Sequence, residues 1–200
     1  TFTPSIGNAV ATTYFGGGKN EDEKFHSNFS NFGYVVSSPK SGNEWKRLNL
    51  AFGYNRTANY KKRTYINGEN SSTSMIDNFV ANAQGNTIGN LNSFTELLAW
   101  NTYLFDPLDT IDNGNYISNL NSSLSKKQEK VINSSGSSGE YVFSVGTSYE
   151  DRIYLGATIG MPRIDYYEES SYTESEFADT AAHLHSFDYT EEFSTIGKGF

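Results

Sequence analysis

Short segments in which large apolar residues alternate with small or polar ones constrain the fold of this chain more than any other feature. The clearest example runs from Leu48 to Asn55, where every even position is large and apolar. Residues 141–149 and 153–161 follow the same rule. Because successive side chains of a strand point to opposite faces, each segment predicts a strand with one apolar face and one face of Gly, Ser, Thr and Asn. The lack of charge on the second face favours the lumen side of a membrane barrel over the wet face of a soluble sandwich.

Composition narrows the class of protein. Phe and Tyr contribute 14 residues each, which suits surfaces where aromatic rings meet both apolar material and water. The net charge of −8 argues against nucleic acid as a partner. The chain has no cysteine, which excludes disulfides and cysteine-based zinc sites. It also has no run of about 20 apolar residues of the kind that predicts a membrane helix.

The pattern predicts a single all-β, antiparallel transmembrane β-barrel segment over residues 1–200. The predicted strands cover 1–14, 29–38, 45–65, 140–149, 152–166 and 186–196, and a further strand starts near 126–133 before a flexible break at 134–139. The connections alternate between long loops at 16–24, 67–137 and 167–185 and short turns at 39–43 and 150–151. Outer-membrane barrels place short turns in the periplasm and long loops outside, so we expect the two short turns to face the periplasm.

The longest connection, residues 67–137, is predicted to be an extracellular loop that contains two helices. Met75, Ile76, Phe79, Val80 and Ala83 have helical spacing within 74–84. A second helix is expected at 94–105, opened by a capping box of Ser93 and Glu96 and stopped by Pro107. An insertion of this length is rarely a passive connector, so we expect it to have a function.

Four stretches of the chain resemble the FadL/TodX family of outer-membrane transport proteins for hydrophobic compounds, in the form found in Bacteroides-like bacteria. They are Phe2–Val10, 48–56 (LNLAFGYNR), 143–170 (FSVGTSYEDRIYLGATIGMPRIDYYEES) and 188–200 (DYTEEFSTIGKGF). The resemblance implies a 14-stranded barrel with an N-terminal plug in its lumen. Only six or seven strands are predicted here and no plug precedes Thr1, so the chain corresponds to the N-terminal half of such a barrel without signal peptide and plug.

The resemblance also implies that helical segments of an extracellular loop form an apolar groove that first captures the ligand. In this chain the candidate groove residues are Phe79, Leu97, Leu98, Trp100 and Phe105. The competing interpretation is that these side chains pack the two helices on each other and on the barrel rim.

Other candidate sites rest on weaker patterns. His183 and His185, with Asp179 and Asp188 nearby, form a possible metal cluster or a plain solvated pair. The acidic run Glu168, Glu169, Glu174, Glu176 and Asp179 lacks the order of a calcium loop, and a solvated face is the simpler interpretation. Asp109-Thr110-Ile111 and Asp179-Thr180-Ala181 match a short glycosylation pattern. No catalytic motif is present, so we expect neither an enzyme nor a cofactor.

Three functions are compatible with these observations. The leading hypothesis is a passive outer-membrane channel for small hydrophobic, fatty-acid-like molecules, with Tyr34, Trp45, Tyr54 and Tyr149 in an aromatic girdle at the lipid surface. The second is a FadL-like barrel that acts as a structural or docking subunit of an envelope secretion or assembly complex, with protein partners. The third is a soluble, surface-exposed β-rich binding domain.

Overall fold

The computed structural model of this chain describes residues 1–40, 44–109, 114–121, 123–178 and 184–200. Within them the chain is an antiparallel all-β structure with a seven-stranded main sheet and a small two-stranded sheet. The strands are β1 (Phe2–Phe15), β2 (Gly18–Pro39), β3 (Trp45–Asn59), β4 (Lys62–Asn70), β5 (Phe105–Pro107), β6 (Tyr116–Ser118), β7 (Lys126–Tyr149), β8 (Ile153–Ser175) and β9 (Ser186–Lys198). The helices are α1 (Met75–Ala83), a 3₁₀ turn (Ile88–Asn90) and α2 (Glu96–Asn101).

The main sheet runs in the order β1-β2-β3-β7-β8-β9, and β4 pairs with β7 beside β3. It is not closed. Among the described residues, the outer edge of β1 has no strand partner, and β9 pairs only with Arg163–Ser175 of β8. The prediction of six or seven antiparallel strands is therefore confirmed, whereas closure into a barrel stays a prediction.

The strands are much longer than those of ordinary soluble sheets. β2, β7 and β8 contain 22, 24 and 23 residues, against the five or six that are typical. β3 and β4 act almost as one strand, because both run antiparallel to β7 and are interrupted only at Tyr60 and Lys61. The predicted continuation of the third strand towards Tyr65 is thus found, with this interruption.

Three predicted loops are wrong because the strands extend through them. The charged run at 19–24 belongs to β2, and the first connection is a tight turn at Gly16-Gly17, where both residues have positive φ. The expected break at 134–139 lies inside β7, and the expected loop from 167 is strand as far as Ser175. Charged side chains are accommodated in β2 because they find partners across the sheet, as in the pair of Asp22 with Arg63.

The tip of the β1–β2 hairpin covers the edge of β4 that does not pair with β7. The Thr13 hydroxyl donates to the Tyr65 carbonyl at 2.6 Å, and the Asn20 amide donates to the Asn67 carbonyl at 2.9 Å. Side-chain hydrogen bonds thus occupy carbonyls that an exposed edge would leave unpaired.

The sheet has two ends, which we call the turn end and the cap end. At the turn end β2 and β7 end and β3 and β8 begin, and the Glu150 amide donates to the Glu44 carbonyl at 2.7 Å. At the cap end, the described residues between 71 and 125 form a small domain, here called the cap. Its core is made of ten buried residues, nine from the cap and one from β9: Ile76, Phe79, Ala83, Leu91, Ala99, Leu104, Phe105, Tyr116, Leu120 and Phe187.

The cap helices differ in part from the predicted ones. Helix α1 matches the predicted 74–84, but α2 is only six residues long, shorter than the predicted 94–105. The capping box predicted at Ser93 is wrong, since α2 follows Thr95, which makes no side-chain cap bond. The capping box is instead in α1, where the Asp77 carboxylate accepts from the Ser74 amide at 2.8 Å. The insertion also contains the short strands β5 and β6, and Pro107 lies in β5.

Candidate functional site

Three neighbouring rows of apolar side chains cross four strands on one face of the sheet, here called the outward face. The rows are Phe32–Tyr54–Tyr141–Met161, Tyr34–Phe52–Phe143–Ile159 and Val36–Leu50–Val145–Ala157. Together with the outward residues that continue them to Tyr149 and Ile153, they form a surface that we call the belt. Along β7 the belt spans Tyr141 to Tyr149, about 26 Å at roughly 3.3 Å per residue. Transmembrane β-strands need about 9–11 residues, so the belt has the length of a bilayer crossing.

Aromatic rings border the belt at both ends. Trp45 and Tyr149 contact each other at the turn end, with ring centroids 5.2 Å apart. Tyr54 and Tyr141 contact at the opposite border, 5.0 Å apart. Three of the predicted girdle residues thus lie at a border, whereas Tyr34 lies one row inside the belt, beside Phe52.

The inward face of the same region carries small side chains. Its rows are Gly33–Gly53–Val142–Gly160, Val35–Ala51–Ser144–Thr158 and Ser37–Asn49–Gly146–Gly156. Hydroxyls on this face pair across strands, as Ser144 and Thr158 do at 2.9 Å. The sheet is therefore apolar on one side and small and hydrogen-bonding on the other, as the alternation predicts.

The cap lies on the inward face of the cap end and contacts it through aromatic residues of β9. The Phe79 ring lies 5.7 Å from the Tyr189 ring, and the Tyr189 hydroxyl donates to the Phe94 carbonyl at 3.2 Å. Phe187 completes the core of the cap. The cap and the sheet are thus joined by an apolar contact between α1 and β9.

The five predicted groove residues are close together but differ in exposure. Phe79 and Phe105 are buried at 4% and 0% exposure, so they fill the core of the cap and do not line an open groove. Leu97 and Trp100 are partly buried against the same core. Only Leu98 is largely exposed, at 49%. For the two phenylalanines the packing interpretation is correct.

A buried carboxylate joins the cap to the main sheet. Glu174 of β8 is fully buried and accepts hydrogen bonds from the Ser74 hydroxyl at 2.6 Å and the Met75 amide at 2.7 Å. It also accepts from the Gln128 amide at 2.9 Å and the Tyr172 hydroxyl at 2.5 Å. The Met75 amide belongs to the first turn of α1, where the helix dipole favours an anion. Glu174 therefore holds the start of α1 against β7 and β8.

This environment changes the acidity of Tyr172. Burial of the phenol, and then its hydrogen bond to the Glu174 carboxylate, raise the pKa of Tyr172 well above its ordinary value. The sequence pattern treated Glu174 as one member of an acidic run and missed this role. The available signal was the alternation of Ser170, Tyr172 and Glu174, which puts the three on one face of a strand.

A cavity of 420 Å³, here called the chamber, lies between α1 and the inward face. Its lining comes from the hairpin tip, the hinge into the cap, α1 and strands β7, β8 and β9. The lining residues are Phe15, Asn70, Thr73, Ser74, Met75, Asp77, Asn78, Gln128, Lys130, Ser170, Tyr172, Tyr189 and Glu191. None of them was predicted as a site residue. A second cavity, of 430 Å³, lies on the belt and is almost entirely apolar.

The remaining predicted sites receive no support from the described residues. Asp179 and His183 of the histidine pattern, and Thr110 and Thr180 of the glycosylation pattern, lie outside the described residues. Within the described ranges, no group of three or more His, Asp or Glu side chains could hold a metal ion. The acidic run is divided between the two faces of β8, because Glu168 and Glu174 point inward and Glu169 points outward.

Among the described helices, none has the length and hydropathy needed to span a membrane. Comparison of the chain with protein-family models, with curated proteins and with solved structures finds no match. The resemblance to the FadL/TodX family therefore stays a prediction.

Proposed function

We propose that this chain is a transmembrane segment of a bacterial outer-membrane β-barrel of the FadL/TodX type, through which small hydrophobic molecules pass without chemistry. The belt is the observation that carries this proposal. It combines an outward apolar surface of bilayer length, aromatic borders at both ends and an opposite face of small polar residues, the combination that outer-membrane barrels use.

The exposure of the belt argues for contact with hydrocarbon. Leu50, Leu155 and Ile159 are exposed at 51%, 55% and 63%, and Phe52 at 37%, although a water-soluble core would bury such side chains. Each large apolar side chain moved from water into an apolar phase contributes about 1.5–3 kcal/mol. Insertion of the belt into lipid recovers this free energy for every row.

The open edges of the sheet require further strands in a membrane. Backbone groups that face hydrocarbon without partners cost several kcal/mol each, so a spanning sheet must close on itself. Further strands that pair with β1 and with the part of β8 that β9 does not reach, near the turn end, would complete the barrel. The family that the sequence resembles has 14 strands. The small inward rows would then line the lumen.

The first test is membrane association followed by transport. The protein with the further strands that close the sheet is folded in detergent, mixed with phospholipid vesicles and floated on a density gradient, and uptake of a fluorescent fatty acid into the vesicles is then measured. We expect the protein to float and to raise uptake. Ala51→Trp, which narrows the inward face, should lower uptake, whereas Leu50→Trp, its outward neighbour, should not.

The outcomes separate the three functions. A protein that stays in solution without detergent is a soluble domain, and the membrane proposal then fails. A protein that inserts but takes up no fatty acid is a docking subunit.

One observation favours the docking function as the second candidate. On the cap side of the belt, the outward face of the β1–β2 hairpin carries five apolar side chains exposed between 56% and 84%, Ile6, Val10, Tyr14, Phe25 and Phe29. They alternate on this face with the polar residues Asn8, Lys19, Glu21 and Glu23. At the same level, the outward faces of β7 and β8 carry Glu129, Asn133 and Glu169. Apolar surface beyond the bilayer on one side of the sheet suits a protein partner.

A further inference from the structure

The chamber has a lining that a purely hydrophobic ligand does not need. Amides, hydroxyls and charged groups from five elements of the structure face it, although it lies on the inward side where a transported molecule would pass. Asn78 and Glu191 are exposed and keep access to water, but a hydrocarbon in this cavity would cost about 1–3 kcal/mol for each lining group that it left without water or a partner. The ligand that fits must itself form hydrogen bonds.

Part of the lining is already satisfied within the protein, and part is available to a ligand. The Asn70 amide donates to the Gln128 side-chain carbonyl at 2.9 Å, and Gln128 in turn donates to Glu174. By contrast, the side chains of Asn78, Lys130, Ser170 and Glu191 make no hydrogen bond or ion pair with any described residue. These four come from α1, β7, β8 and β9, so they surround the chamber.

Ser170 is the most informative of the four. It is only 8% exposed, yet its hydroxyl has no partner among the described residues and borders the chamber. Ser170 Oγ is not one of the buried polar atoms that lack a partner, so the oxygen is open to the chamber. A hydroxyl group of a bound molecule would give it a hydrogen-bonding partner.

The charges around the chamber select the type of head group. The carboxylates of Asp77 and Glu174 are already bonded within the protein, Asp77 to the Ser74 amide and Glu174 to four donors. The two charges that remain unpaired at the chamber are of opposite sign, Glu191 and Lys130. An anionic or a cationic head would therefore be attracted by one of them and repelled by the other. An uncharged head with several hydroxyl groups meets all of these conditions.

We propose that the chamber binds the uncharged, hydroxyl-rich head of an amphiphile, with Ser170, Asn78 and Glu191 as its hydrogen-bonding partners. This inference rests on the proposed function and narrows its ligand from fatty-acid-like molecules to amphiphiles of the monoacylglycerol type. Tyr172 and Tyr189 offer ring faces of the kind on which sugar or glycerol carbons commonly pack.

The test compares three molecules with the same ten-carbon tail: 1-monodecanoylglycerol, decanoate and decyltrimethylammonium. Binding to the same protein, with the closing strands present, is measured in lipid nanodiscs by titration calorimetry, and empty nanodiscs give the partition background. We expect the glycerol ester to bind at least about threefold more tightly than either ion, which corresponds to one additional net hydrogen bond. Equal or tighter binding of either ion, or no binding above background, overturns the proposal.

Two pairs of variants locate the binding. Ser170→Val removes the hydroxyl and should weaken binding of the glycerol ester about two- to tenfold. Ser170→Thr introduces a side chain of the size of valine but keeps the hydroxyl, so it should bind the glycerol ester more tightly than Ser170→Val. Glu191→Lys should tighten decanoate binding by about threefold or more, whereas Glu192→Lys, on the opposite face of β9, should not. A Ser170→Val variant that binds as well as Ser170→Thr contradicts the proposal.

The same nanodisc preparation separates this inference from the proposed function. A protein that inserts and takes up an apolar dye, but does not prefer the glycerol ester, contradicts the chamber proposal alone. A protein that does not insert contradicts the membrane function, and the chamber proposal fails with it.

Discussion

The β7–β8 hairpin has a turn half, next to the turn end of the sheet, and a cap half, next to the cap end. Side chains alternate between the two faces in both halves, but most apolar residues point outward in the turn half and inward in the cap half. In the turn half, Phe143 and Ile159 point outward and are exposed, while small residues such as Ser144 face inward. In the cap half, Tyr172 and Glu174 point inward and contact the cap, while polar residues such as Asn133 face outward. The pairing register is continuous between the halves, so the change lies in the side chains alone. A single hairpin thus presents an apolar surface to one environment and a packed interface to another.

The largest expected effect tests whether the outward belt lies in lipid. Phe143→Lys places a charge in a central row and should cost about 2–4 kcal/mol of stability in the membrane, because lysine at the bilayer midplane is poorly solvated. Urea unfolding of the protein in vesicles measures the loss. Asn133→Lys, outward on the same strand but in the cap half, is the control and should change little. Equal costs for the two variants would show that the halves do not differ in environment.

The next prediction tests whether the stability of the hairpin depends on the backbone conformation at the junction of its two halves. Gly136 has φ of +108°, and its carbonyl accepts from the Tyr60 amide where β3 gives way to β4. A Cβ there would meet the Asp165 carbonyl oxygen, so Gly136→Ala should cost about 1–3 kcal/mol. The melting temperature reports the loss. Gly146→Ala is the control, because its nearest neighbour is 3.8 Å away and its φ is not positive. Equal melting temperatures for the two variants would show that the junction is not constrained.

The sequence predicts those parts of each half whose structure is set by neighbouring residues in the chain, and fails where it is set by contacts between distant strands. The belt rows follow from period-two alternation at 48–55, 141–149 and 153–161, which needs no knowledge of the partner strand. The extent of β2 and β8 could not be predicted in this way, because Lys19, Glu21, Glu168 and Glu169 have loop-like composition. They are held in strands by cross-strand partners, such as the bond from Ser134 to Glu168 at 3.0 Å.

The cap was predictable in part for the same reason. Helix α1 has strong apolar spacing, so its position could be predicted, whereas α2 is short and depends on the fold of the cap. Glu96 illustrates this dependence: burial alone would raise its pKa, but hydrogen bonds, first that of Thr95, leave the pKa below its ordinary value. The role of Glu174 depends on Ser74, 100 positions away in the chain. The local alternation places Glu174 on one face of β8 but does not indicate its partner.

A smaller effect tests the attachment of the cap. Glu174→Gln keeps the size of the side chain but replaces an oxygen acceptor with a donor that faces other donors. The free energy needed to open the start of α1 should therefore fall by about 1–3 kcal/mol. Hydrogen exchange of amides 75–80 measures this opening. Glu192→Gln, exposed on the outward face of β9, is the control. Unchanged exchange in Glu174→Gln would show that the cap is held by its apolar contacts with β9 and not by the carboxylate.

The smallest effect is a pH dependence of the contact between the cap and the sheet. The pKa of Tyr172 is higher in the folded protein than in the unfolded chain, so the folded state retains its proton when the unfolded state begins to lose it. The stability that this difference contributes is complete below about pH 10, the pKa of an unfolded tyrosine, and is lost as the pH rises towards the folded value. Exchange of the α1 amides, corrected for the intrinsic effect of pH, should therefore increase above about pH 10. Tyr172→Phe has no proton to lose at this position and should reduce this dependence, leaving the part due to Tyr189, whose pKa is also raised, first by burial. An unreduced dependence in Tyr172→Phe would assign it to other titrating groups.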